Sequence, residues 1–197
     1  MESRTKDIWE NRYIKNETSG LGSYNELAKF KSDIINKFIV EYNILSIIDF
    51  GCGDGNQINT ININKYIGLD ISDFIITKIK KKYINDTTKT FYNYQEFEII
   101  RPMCDISLSL DVIYHLVDIN IYNKYLYDLV NSASKYIIIY STNFKDINIQ
   151  NQFTSHMYHR KFTDDIQRLY PQCKFIKKIP QIYPNNSSAD FYIFKII

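Results

Sequence analysis

Three histidines and three strand-end carboxylates are spaced through this chain as proton transfer and polar-ligand binding would require. Asp49, Asp70 and Asp111 each stand at or near the end of a short apolar run. A carboxylate there can accept hydrogen bonds from a ligand's hydroxyl or ammonium groups. Gly51, Gly53 and Gly55 alternate directly after the first run, and backbone without a Cβ can pass very close to a ligand. His115 follows Asp111, and His156 and His159 lie together in Ser155–Phe162. Imidazole titrates near neutral pH, so His115, His156 and His159 are candidates for taking a proton from a hydroxyl acceptor, with Asp111 as a further polar contact. Cys52 lies inside the glycine loop with no histidine near it in sequence, and it reads as packing. No Cys-x-x-Cys pair or other metal pattern is present, so no metal is expected.

The elements that must position these groups alternate. Helical spacing covers 6–16 and, after a Gly-rich break at 19–23, 24–42, where Leu27, Phe30, Ile34, Ile35, Phe38 and Ile39 form a core stripe. A strand at 45–50, a helix at 56–62, a strand at 66–70 and a helix at 72–84 follow, the last with Ser72 as N-cap. Strands at 90–94 and 105–110, a helix at 120–133, a strand at 136–141, a helix at 163–170 and strands at 174–182 and 190–196 complete the series. Alternation of this kind predicts an α/β fold with a parallel sheet and helices on both faces. The final two strands are joined by a turn at Pro184–Ser188, so one of them must run antiparallel.

The run from Asp49 to Gly55 reads D-x-G-x-G-x-G. It resembles motif I of the class I S-adenosylmethionine (SAM)-dependent methyltransferases. A dinucleotide fingerprint would place its third glycine one residue later, and a P-loop would need Lys-Ser/Thr where Asn56-Gln57 stand. SAM carries a sulfonium and an ammonium, which suit a loop flanked by Asp49 and Asp54 better than a polyanion would. Asp70 stands roughly twenty residues on, the interval at which a second strand's carboxylate reaches ribose hydroxyls in dinucleotide folds too. Cys104–Leu116 looks like motif IV, the strand that ends at substrate and cofactor. The resemblance covers 45–142 best. It implies a Rossmann-like, seven-stranded, mostly parallel sheet with an antiparallel last strand. It also implies one domain comprising an N-terminal helical lid (1–44), a SAM-binding core (45–142) and a substrate-side loop with a terminal hairpin (143–197). The cofactor residues it implies are Arg12, Tyr13, Asp49, Gly51, Gly53, Gly55, Asp70, Ile71, Tyr94, Gln95 and Asp111. Arg12 would meet the SAM carboxylate, and Tyr94 and Gln95 would lie beside adenine.

Composition bounds the partners. With 24 basic against 22 acidic residues the net charge is +2, which leaves no concentrated basic face for nucleic acid. Lys78, Lys80, Lys81 and Lys82 sit at a helix end, where cations complement the dipole. Three scattered cysteines fit a reducing, cytoplasmic setting, and neither a signal peptide nor a transmembrane run is visible. The expected activity is methyl transfer to a small-molecule acceptor, with O-methylation of a sugar or glycan precursor preferred. A nucleic-acid or protein methyltransferase, a non-catalytic SAM-binding scaffold and a nicotinamide-dependent oxidoreductase are the other readings. Oligomeric state is not encoded in any feature of the chain.

Overall fold

The computed structural model describes residues 4–145 and 157–197. Its strands are β1 (Ser46–Phe50), β2 (Lys65–Asp70), β3 (Lys89–Asn93), β4 (Cys104–Leu110), β5 (Ala133–Ser141), β6 (Cys173–Ile179) and β7 (Asp190–Ile196). They form one sheet in the order β3-β2-β1-β4-β5-β7-β6. The first five strands pair in parallel, and β7 runs antiparallel to both β5 and β6. The expected seven-stranded, Rossmann-like sheet with a reversed last strand is therefore present.

The helices are α1 (Arg4–Ile14), α2 (Asn25–Glu41), α3 (Asp73–Lys82), α4 (Tyr94–Ile100), α5 (Ile119–Asn131) and α6 (Phe162–Leu169). They cover both sheet faces, as the apolar run of β1 demands. Successive strand residues point to opposite sides, so Ile47 joins Phe30, Ile35 and Phe38 of α2 and Ile75, Ile76 and Ile79 of α3. Ile48 joins Phe97 of α4, Tyr125, Leu126 and Leu129 of α5 and Phe162 and Ile166 of α6. A strand buried on both faces carries apolar residues on both, here Ile47, Ile48 and Phe50, which is why its alternation is hidden in the sequence.

Two elements differ from the sequence reading. Residues 56–62 form only a short 3-10 turn, Gln57–Thr60. Conversely, α4 occupies the stretch read as a strand end and loop. It is started by Asn93, whose side chain accepts from the Glu96 N–H while the Glu96 carboxylate accepts from the Asn93 N–H, each at 2.9 Å. This reciprocal pair satisfies two amides left open at a helix start. Ser72 caps α3 as expected, accepting from the Ile75 N–H at 3.1 Å.

The sheet order reverses beside β1, with β2 and β3 on one side and β4 and β5 on the other. The crevice beyond the strand ends at such a reversal is where open α/β sheets bind ligands. Among the described residues no helix is long and apolar enough to cross a membrane, and no group of His, Cys, Asp and Glu is placed to hold a metal ion.

Candidate functional site

A cavity of about 550 Å³ lies in that crevice. Its floor is built from Gly51 and Gly53 after β1, Asp70 and Ile71 at the end of β2, and Leu110, Asp111 and Val112 at the end of β4. Thr5, Trp9, Arg12 and Tyr13 of α1 and the turn Ser19–Ser23 close one side, and Tyr94, Lys124 and Tyr125 close another.

The glycine loop is shaped as much by the N-terminal segment as by ligand space. Gly53 has φ 57°, and a Cβ added there would meet Ser19 Oγ at 2.2 Å. Gly51 has φ 93°, and its added Cβ would meet a Val112 methyl at 2.4 Å. The sequence assigned this need for space to the ligand, whereas the structure fills it with protein. Asp54 likewise serves the clamp and lies outside the cavity wall. Its carboxylate accepts from the Ser19 N–H and the Tyr24 hydroxyl, both at 2.8 Å, while its own N–H donates to Ser19 Oγ at 2.8 Å. Within α1, Glu10 accepts from the Ser72 hydroxyl and from the Phe74 N–H, placing an anion at the start of α3. Gly53→Ala is therefore expected to cost about 2 kcal/mol, from left-handed strain and loss of the Ser19 bond. It should also open the segment around residue 19 to limited proteolysis. An unchanged melting temperature and cleavage pattern would mean the clamp is slack.

Asp70 is 5 % exposed and accepts from the Gly53 N–H at 3.0 Å and the Ser72 N–H at 2.9 Å. Asp49 lies beneath the loop, 2 % exposed; one oxygen accepts from the Tyr66 hydroxyl at 2.6 Å, and the other has no partner among the described residues. Burial pushes both carboxyls from 3.8 up to about 6, outweighing the Ser72 and Gly53 amides at Asp70 and the Tyr66 hydroxyl at Asp49. A raised folded-state pKa favours the protonated fold, so each acid withdraws stability as pH rises from about 4 to about 6. A ligand hydroxyl donating to Asp70 favours the ionised form instead. Affinity for the expected cofactor should thus weaken as pH falls below about 6, with proton release on binding near that pH. Calorimetry in buffers of different ionisation enthalpy reads that proton, and its absence would place the ligand's hydroxyls away from Asp70.

The opposite end of the cavity holds the histidine and the third acid. Asp111 has φ 61° and a carboxylate engaged on both sides, by Lys31 Nζ at 2.8 Å and by the Tyr114 hydroxyl at 3.0 Å. The Lys31 side chain is 0 % exposed and that of Asp111 is 17 % exposed. Lys31 also lies 5.3 Å from the Tyr140 ring centre. His115 packs against Trp9 edge-on, with ring centres 5.1 Å apart, and against Tyr114 at 4.6 Å. His159 sits behind Tyr114, its Nδ1 2.7 Å from the Thr142 hydroxyl.

Of the residues singled out in the sequence, Arg12, Tyr13, Gly51, Gly53, Asp70, Ile71, Tyr94, Asp111 and His115 line the cavity. Asp49, Gly55, Gln95 and His159 do not, and His156 lies outside the described residues. Gln95 is exposed because α4 turns it outward one residue after Tyr94. Gly55 packs against Ile79 instead of a ligand. Arg12 lines the cavity while its Nε donates to the Thr18 carbonyl at 2.6 Å. Cys52 is buried and its thiol is pushed well up by burial, which leaves it unreactive. Lys31, Trp9 and Tyr114 were not assigned roles from sequence. Lys31 alone carried a signal, as a cation inside the apolar stripe of α2.

A family model for the mRNA (guanine-N(7))-methyltransferase domain matches residues 15–122, more than half of the chain. No curated protein sequence matches. Among solved structures, N-methyltransferase NodS from Bradyrhizobium japonicum WM9 in complex with S-adenosyl-L-homocysteine superposes with a TM-score of 0.72 at 11% identity, over 98% of this chain and 99% of that one. Magnesium protoporphyrin IX methyltransferase from Synechocystis PCC 6803 with bound SAM gives 0.67 at 15% identity, over 100% and 99%. An O-methyltransferase family protein from Burkholderia thailandensis gives 0.64 at 10% identity, over 97% of this chain and 59% of that one. The chain therefore belongs to the mRNA (guanine-N(7))-methyltransferase domain family, is a class I SAM-dependent methyltransferase, and uses SAM as its cofactor.

Proposed function

We propose that the chain methylates a hydroxyl of a small, uncharged acceptor, with a sugar or glycan precursor as the preferred class. The observation that carries this reading is the pairing, among the described residues, of every lysine and arginine on the cavity wall. Lys6 faces Asp73 at 2.9 Å, Arg12 faces Glu17 at 3.7 Å, and Lys124 faces Glu98 at 2.9 Å and Asp128 at 2.7 Å. A polyanionic acceptor would have to compete with these carboxylates. The cavity wall also carries a proton acceptor, His115, beside the Lys31-bound Asp111.

The cavity suits the cofactor. Asp70, on the cavity floor, offers a buried carboxylate to ribose hydroxyls. Bound SAM supplies a methyl group already activated by its sulfonium. The protein must align the acceptor with that carbon and, for a hydroxyl, remove a proton. We assign the proton to His115, and the orientation of the acceptor to Asp111 and Tyr114. The new bond is acceptor oxygen to methyl carbon, the bond broken is carbon to sulfur, and the hydroxyl proton passes to the imidazole.

Guanine N7 of a capped RNA is the second reading, favoured by the family match. That match ends within α5, before the segment at 157–161 that packs on the transfer end. An N7 lone pair needs no base, so the two readings differ in one variant. Assays for S-adenosylhomocysteine release should find turnover on free or nucleotide-linked sugars, reduced about 100-fold or more in His115→Asn. Turnover on capped RNA alone, insensitive to that substitution, would overturn the proposal.

A further inference from the structure

The short 3-10 turn Ile113–His115 carries two of the side chains at the transfer end, and its backbone carbonyls are held from both sides. From the α1 side, the Thr5 hydroxyl donates to the His115 carbonyl at 3.2 Å. From the other side, the Tyr158 N–H donates to the Tyr114 carbonyl at 2.7 Å. Arg160 then donates through Nη1 to the Leu116 carbonyl at 2.6 Å and through Nη2 to the Val117 carbonyl at 2.7 Å. Its guanidinium lies between two rings, 4.5 Å from the Tyr122 centre and 4.3 Å from that of Tyr158.

We infer that Arg160 is a positioning residue that fixes the Tyr114–His115 turn against the α1 wall of the cavity. Arg160 does not line the cavity, so it acts through that turn. A planar fork spans two successive carbonyls and stacks between two rings at once, which a lysine ammonium cannot do. With the outer carbonyls pinned, Tyr114 keeps its hydroxyl on Asp111, and His115 keeps its ring on Trp9. The inference rests on the cavity alone and is independent of which acceptor is methylated.

Trp9 is the single tryptophan of the chain, so its fluorescence reports the contact with His115. Protonated imidazole in contact with indole quenches its emission. Lowering the pH from about 8 to about 5 should dim the wild-type protein, and His115→Asn should remove that step, which assigns it. Arg160→Met is expected to lose most of the quench while S-adenosylhomocysteine still binds in calorimetry. Arg160→Lys, which keeps the charge but not the fork, should also lose most of it, and it decides alone if the methionine variant does not fold. A merely structural arginine would lower the melting temperature and leave the quench at wild-type size, and that result would overturn the inference.

Discussion

Asp70→Ala is expected to weaken binding of SAM and of its demethylated product by about 100- to 1,000-fold. The carboxylate is placed to accept from ribose hydroxyls, each such bond to a charged acceptor being worth about 1.5–3 kcal/mol. It also holds the Gly53 and Ser72 amides, so the substitution unpins the glycine loop and the first turn of α3 together. The loss should appear in affinity at neutral pH, measured by titration calorimetry with NAD as a control ligand. A Kd within a few-fold of wild type would remove Asp70 from the cofactor site.

Asp70 was legible because its signal is local, an apolar strand ending in an acid at a set distance from a glycine loop. The same holds for the sheet, since β1, β2, β4 and β5 are short apolar runs that tertiary packing only confirms. Other features escaped because their meaning depends on contacts between distant segments. In sequence the glycine at position 53 reads as space for a ligand, while Ser19, far off in sequence, is what occupies that space. From sequence Asp54 belongs to the ligand's electrostatic surroundings, whereas its carboxylate is taken up by Ser19, Tyr24 and the Asn56 N–H. The start of α4 was readable in principle. Asn93 and Glu96 stand at capping-box spacing, but a seven-residue helix following a strand without a break left no periodicity to find. Arg160 lies in sequence beside His159, and nothing local marks its role. Two carbonyls and two rings from other segments determine its part in the fold.

The role of Lys31 likewise depends on a distant segment, and it leads to the largest stability effect expected of any single change here. In the apolar stripe of α2 it stands one turn after Leu27 and one turn before Ile35, a face that the core covers. A fully buried ammonium needs a carboxylate, and Asp111 supplies it. Asp111→Ala leaves that charge unpaired and should destabilise the fold by about 3–5 kcal/mol, read from urea unfolding near neutral pH. Lys31→Met should cost less, because the Asp111 carboxylate borders the cavity and can still be hydrated there. The double variant Lys31→Met with Asp111→Ala should recover much of the loss seen in Asp111→Ala alone, since neither charge is then stranded. Added salt should change these differences little, because the fully buried Lys31 ammonium is poorly screened. A cost below about 1 kcal/mol for Asp111→Ala would mean Lys31 sheds its proton or finds another acceptor, and would remove the ion pair from the account of the transfer end. If the double variant instead folds with near wild-type stability and still releases no S-adenosylhomocysteine on any acceptor, the buried pair is retained for the reaction and not for the fold.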